Sequence, residues 1–164
     1  DLVRSRGLGD VYKRQILNLS GIAAGAATVG CCAQMIGFAT ASFRENGIGG
    51  LLAQGIGTSM LQVPNIVRKP LIWLPTIITS AILGPISTVV LKMTNNAIGS
   101  GMGTAGLVGP IMAYKTMITN TSPTITILMI LAMLIIAPAF LTYFISEAMR
   151  RKGLIKDGDM KLEI

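Results

Sequence analysis

Histidine is missing from all 164 residues. The chain therefore has no Ser-His-Asp or Cys-His triad, no histidine-ligated metal and no phosphohistidine. Charge is scarce as well. Only 13% of residues are Asp, Glu, Lys or Arg, against about 25% in an ordinary soluble domain. The two cysteines, Cys31 and Cys32, are adjacent, which gives neither a disulfide framework nor zinc-ligand spacing. What is present is apolar: 51% of the chain is hydrophobic, and its 19 glycines follow no Gly-X-Y period. This composition excludes collagen, a disordered chain, a nucleic-acid-binding arm and most soluble enzymes.

The net charge is +7, but the first fifteen residues distort it. DLVRSRGLGDVYKRQ reads as translated sequencing-adapter sequence rather than native protein, and the missing initiator Met fits a truncated reading frame. Residues 1–15 are set aside on that ground. Removing their four basic and two acidic residues leaves ten basic and five acidic, or +5.

Beyond residue 15 the charges bound five uncharged stretches: 16–43, 46–67, 70–91, 93–114 and 116–146. Each is at least as long as the roughly 20 residues that cross a bilayer as a helix. Residues 16–43, 70–91 and 123–146 are apolar on all sides and read as full membrane spans. Pro75, Pro85 and Pro138 fall inside these spans and are expected to kink them. Residues 47–64 and 97–114 are different. Both are glycine-rich, moderately apolar and carry a proline near the end. Gly costs about 1 kcal/mol relative to Ala in a helix interior, so these two segments read as broken or re-entrant helical hairpins. Such backbone survives at membrane depth only when it is buried in protein or lines a wet cavity.

The two glycine-rich segments also resemble each other. With an offset of 46, GIGTSMLQVPNI (55–66) lies over GMGTAGLVGPIM (101–112), and Gly55/Gly101, Gly57/Gly103, Thr58/Thr104, Leu61/Leu107 and Pro64/Pro110 coincide. One span separates them, so the two hairpins are expected to enter from opposite faces as an inverted repeat. Paired Gly/Pro-interrupted segments of this kind point to a substrate site at the bilayer midplane. Arg150, Arg151 and Lys152 follow the last span and set the C-terminus in the cytoplasm by the positive-inside rule. That orientation also places Arg44, Arg68 and Lys69 inside, and Lys92 and Lys115 outside.

Several smaller motifs have plainer readings. Gly101-Met-Gly103-Thr-Ala-Gly106 fits G-x-G-x-x-G, but no strand pattern precedes it and no acidic residue follows about 20 positions on. Cys31 and Cys32 read as small core residues. Glu147 is expected to form an interfacial ion pair with Arg150 and Arg151 at helical spacing. Residues 150–164 read as a solvated cytoplasmic tail. No residue pattern calls for a metal or other cofactor, and none supplies a catalytic group.

Neutral polar residues gather around the hairpins, among them Gln54, Ser59, Asn95 and Ser100. No buried charge of the sort an ionic substrate would need accompanies them. A neutral polyol, together with an aromatic such as Trp73, suits these donors and acceptors. The substrate-lining candidates are Gly57, Thr58, Gln62, Asn65, Asn96, Gly101, Gly103 and Thr104.

The blocks GTSMLQVPN (57–65) and GMGTAGLVGP (101–110), with the run between them, resemble the membrane subunit IIC of the bacterial phosphotransferase system. The nearest branch is the one also labelled toxin-regulator membrane proteins. The resemblance covers about 16–164 and identifies 16–149 as the C-terminal part of a permease domain. It implies a multi-pass protein of the bacterial inner membrane that translocates a sugar or polyol. It further implies a cytoplasmic IIB-type phosphoryl carrier as partner and a homodimer, with no nucleic-acid partner. The alternative left open by the residues is a membrane-embedded sensor or regulator that binds a ligand or partner without transport.

Overall fold

A computed structural model describes residues 20–162; the segment 1–15 set aside above lies outside the described residues. Helix α1 (Ile22–Ala41) is an unbroken run of small and apolar side chains with no proline or charge. It ends where the Ser42 hydroxyl and backbone N–H both turn back to the Phe38 carbonyl, at 2.8 and 3.0 Å. At 20 residues it is about 30 Å long, enough to cross a bilayer. Two further helical runs, Pro70–Val90 and Pro123–Arg151, are also long and apolar enough to do so. These three correspond to the expected spans. Among the described residues there is no strand, only an isolated bridge between Gly21 and Asn95. The chain is an all-α membrane protein.

The prolines act through their missing N–H. Pro75 lies in the first turn of α4 (Leu74–Pro85), where that N–H would have no helical partner. It starts the helix rather than kinking it, after a 3₁₀ turn at Pro70–Trp73. Pro85 closes α4 and is followed by a wide π turn at Ile86–Val90. In the last span, α7 (Pro123–Ile130) passes through a second π turn, Leu131–Ile136, into α8 (Ala137–Arg151), which carries Pro138 at its start. Wide turns of this kind re-pair carbonyls that a proline leaves without a donor.

The two glycine-rich segments are helices broken in the middle. The first comprises α2 (Phe43–Leu52), a π turn at Ala53–Gly57, a 3₁₀ turn at Ser59–Gln62 and α3 (Val63–Arg68). The second comprises α5 (Ala97–Met102), a 3₁₀ turn at Ala105–Leu107 and α6 (Val108–Met117). They leave from opposite ends of α1. The first begins at Ser42, immediately after α1. The second begins at Asn95, which exchanges backbone hydrogen bonds of 3.0 and 3.2 Å with Gly21 at the start of α1. This is the opposed rooting expected from the single span that separates the two repeats.

Two apolar clusters hold the bundle. Val29 and Cys32 of α1 pack with Leu83, Met93, Met117 and Leu134, while Phe38 packs with Ile72, Met149, Ile155 and Met160. Gly37 lets α4 and α8 approach α1 together, because a Cβ there would lie 2.8 Å from the Thr142 hydroxyl and 2.9 Å from Thr76 Cγ2. Thr142 in turn donates to the Thr79 hydroxyl at 2.9 Å. On the outside, Val67, Val89, Val90, Leu128, Phe140 and Phe144 are exposed. In a bilayer such side chains meet lipid rather than water.

Two sequence expectations change here. The segment after α8 is mostly exposed, but two of its residues are buried. Ile155 and Met160 are 2% and 0% exposed, and the chain folds back onto the base of the first hairpin. Glu147 also takes a different partner, Arg44 at 3.3 Å, while Arg150 reaches Glu45 at 2.6 Å. Both pairs join different elements, because the chain after Ser42 and the end of α8 lie side by side.

Candidate functional site: two broken-helix tips against α1

The breaks fall at equivalent positions of the repeat. In the first hairpin the wide turn ends at Gly57, and Thr58 is extended (φ −157°, ψ 135°). In the second, α5 ends at Met102, and Gly103 adopts φ 55°, ψ −133°. Both tips rest on α1, Gly103 against Cys31 and Met35 near its middle and Gly55 against Ile36 and Ala39 in its last third. They also touch each other. The buried Thr104 hydroxyl donates to the carbonyl of buried Gly55. The Cys31 thiol lies 3.6 Å from the Ser100 carbonyl and ties the second tip to α1.

The eight candidate residues do not share one pocket. Gly57, Thr58, Gly101, Gly103 and Thr104 belong to the tips. Gly57 and Thr58 are exposed and Gly101 is half-buried, whereas Gly103 and Thr104 are buried. The Thr58 hydroxyl accepts the Met60 N–H at 3.2 Å and so starts the 3₁₀ turn. Asn96 stands at the base of the second hairpin as the N-cap of α5. Its side-chain oxygen accepts the Gly99 N–H at 2.8 Å.

Gln62 and Asn65 sit at the base of the first hairpin, buried, and their amides hold the C-terminal segment. Gln62 Nε2 donates to the Met160 carbonyl at 2.9 Å. Asn65 Nδ2 donates to Gln62 Oε1 and to the Lys161 carbonyl, each at 2.9 Å. Asn46 and Glu45 complete this clasp, taking the Leu162 and Met160 N–H groups at 2.8 Å.

One polar group escaped the sequence reading of the site. Gln34, on α1 one residue from Met35, accepts from Trp73 Nε1 at 2.9 Å and from the Thr76 hydroxyl at 2.8 Å. It thereby fixes the orientation of the half-exposed Trp73 ring. A single amide in a run of small residues gives no periodic signal that would have marked it. Gln54 Nε2 donates to Ser42 Oγ at 2.8 Å, but its Oε1 is buried without a partner. An unpaired buried amide oxygen costs about 1–3 kcal/mol.

The site's chemistry is that of neutral hydrogen bonding. No ionisable side chain lies on either tip. No group of three or more His, Cys, Asp or Glu that would hold a metal occurs among the described residues. The charges gather at the ends of the helices. Arg44, Arg68, Lys69, Arg150, Arg151, Lys152 and Lys156 lie at the end of α1 where the first hairpin is rooted. Lys92 and Lys115 lie on the segments at the other end. Arg44 is held above its ordinary pKa, first by Glu147 and then by Tyr143.

A family model described as "Phosphotransferase system, EIIC" matches residues 15–162. No curated protein and no solved structure matches the chain.

Proposed function

This chain belongs to the phosphotransferase-system EIIC family, whose members are the membrane permease subunits of that sugar-transport system, and we propose that it carries a neutral sugar or polyol between its two hairpin tips. The observation that supports this most is the meeting of two oppositely rooted, uncharged tips against α1, away from the charged residues at both of its ends. Broken helices with exposed peptide groups at such a depth are what a midplane site requires. Gly57, Thr58 and Gly101 offer the open tip surface to the substrate. Gly103, Thr104, Asn96, Gln62 and Asn65 position the tips, since their polar groups or close contacts are already engaged within the fold. Trp73, steadied by Gln34, offers a flat apolar ring face with its polar N–H already satisfied.

Alternating access then follows from rocking of one hairpin against the other, as in other inverted-repeat transporters. Phosphorylation of the sugar falls to a cytoplasmic IIB-type partner, in keeping with tips that carry no ionisable side chain. The positive-inside rule sets the root of the first hairpin and the C-terminal clasp in the cytoplasm. A homodimer is the assembly we expect.

Trp73 is the only tryptophan in the chain, so its fluorescence reports on this site alone. Titration of the purified protein with a panel of uncharged hexoses, pentoses and polyols is expected to give a saturable emission change for at least one of them. Thr58→Val is expected to weaken that response about tenfold, the effect of roughly one lost hydrogen bond. Silence across the panel, together with no flux in proteoliposomes, contradicts the reading. A saturable response without flux favours a sensor.

A further inference from the structure

Two cavities adjoin where the first hairpin packs against α8. One, of about 250 Å³, is lined by Thr40, Phe43, Leu51, Ala139, Phe140 and Tyr143 and is almost wholly apolar. The other, of about 380 Å³, has Arg44, Glu147, Arg151, Lys156 and Asp157 in its wall. They share a seam. Phe43 of the first is followed in the chain by Arg44 of the second, and Tyr143 lies one turn before Glu147. Arg44 pairs with Glu147 at 3.3 Å across this seam. The apolar groove thus leads directly into the charged pocket at the end of a membrane-spanning helix.

The charges in that pocket do not cancel. Arg44 is matched by Glu147, and Arg150 by Glu45 and by Asp157 at 2.7 Å. Arg151 and Lys156 are exposed and make no ion pair among the described residues. The four cations face three carboxylates, and the positive charge in excess sits on these two exposed side chains, beside a groove that suits a hydrocarbon chain.

We propose that these adjoining cavities form a binding site for an anionic phospholipid, with an acyl chain along Phe43, Leu51 and Phe140 and the headgroup phosphate between Arg151 and Lys156. Charge complementarity selects this occupant. A lipid without net charge leaves the excess positive charge unmatched, and a free phosphate leaves the apolar groove empty. Basic pockets at helix ends are a recurrent mode of anionic headgroup recognition. The proposal does not depend on the sugar site.

Native mass spectrometry of the whole chain in detergent, with dioleoylphosphatidylglycerol or dioleoylphosphatidylcholine added, tests it. The phosphatidylglycerol adduct is expected to be retained about tenfold more than the phosphatidylcholine adduct. Lys156→Gln, on an exposed side chain that does not bear on folding, is expected to lower that preference, and Arg151→Gln with Lys156→Gln to abolish it. Ala139→Trp, which fills the groove, is expected to reduce retention of both lipids. Excess inorganic phosphate is expected to leave the lipid in place. Equal retention of the two lipids by the unaltered chain overturns the proposal. So does displacement by inorganic phosphate with no effect of Ala139→Trp, which leaves a plain phosphate pocket. A lipid-free dimer that Ala139→Trp dissociates also overturns it, by assigning the groove to a second copy.

Discussion

Gly103→Ala is expected to destabilise the protein and to remove substrate binding, whereas Gly57→Ala at the matching position of the repeat is expected to be mild. The two glycines align, but their surroundings differ. Gly103 has φ 55° and ψ −133°, near a region that is essentially glycine-only and costs another residue about 1–3 kcal/mol. A Cβ there would also lie 2.9 Å from Cys31 Cβ, 3.0 Å from the Cys31 carbonyl carbon and 3.1 Å from the Met35 sulfur. One of those three is backbone, so α1 or the tip must move. Together these effects amount to about 2–4 kcal/mol, the strain plus the cost of forcing an extra carbon into a packed site. At Gly57 the nearest atom to such a Cβ is the Leu52 carbonyl oxygen at 4.0 Å, and φ is not positive. Thermal melting of the two variants in detergent, with Trp73 fluorescence to follow binding, checks the contrast. Equal effects would mean that the tips are not seated as described.

Arg150→Met is expected to cost about 3 kcal/mol, the lower end of what breaking a buried ion pair costs. The Arg150 and Glu45 side chains are 8% and 6% exposed. The same guanidinium donates to the Ala41 carbonyl at 3.2 Å, at the end of α1. Removing it strands a buried carboxylate and frees the carbonyl. The clasp should loosen with it, because Glu45 also holds the Met160 N–H. Trypsin is expected to cut at Lys152, Lys156 and Lys161 much faster than in the unaltered protein. Adding Glu45→Gln to Arg150→Met removes the stranded charge while keeping an acceptor for Met160, and is expected to recover about half of the lost stability. The Arg150–Asp157 contact contributes little to these numbers, since Asp157 is 86% exposed. Unchanged melting and unchanged cleavage would contradict the clasp.

The sequence carried the main architecture because it is written in charge and in glycine. Long uncharged runs fixed the three spans, and the aligned Gly-Thr pairs, Gly57-Thr58 and Gly103-Thr104, marked where both hairpins break. The direction of entry also followed, since one intervening span necessarily reverses the second hairpin. The clasp was illegible for a different reason. The apolar residues of GLIKDGDMKLEI (153–164) form only the pair Leu154-Ile155 and a short alternation from Met160, too little to mark a buried element, and the partners of Ile155 and Met160 lie far away in sequence. The Gln62–Met160 bond joins residues 98 positions apart. Gln62 and Asn65 looked available to a substrate because nothing local showed that their amides were engaged. The unequal glycines illustrate the same limit. The repeat aligns Gly57 with Gly103, but only the seat of Gly103 on Cys31 shows which of the two must be glycine.

The central claim is that the two hairpins are rooted on opposite sides of the membrane and meet between them. It is tested most directly by labelling from each side. In a Cys31→Ala, Cys32→Ala background, single cysteines replace Lys69 at the root of the first hairpin or Lys115 on the second. Membrane-impermeant maleimide is then applied to right-side-out and inside-out vesicles. The account predicts that Lys69→Cys reacts only from the cytoplasmic side and Lys115→Cys only from the outer side. Labelling of both from one side would place the hairpins in parallel and contradict the inverted architecture.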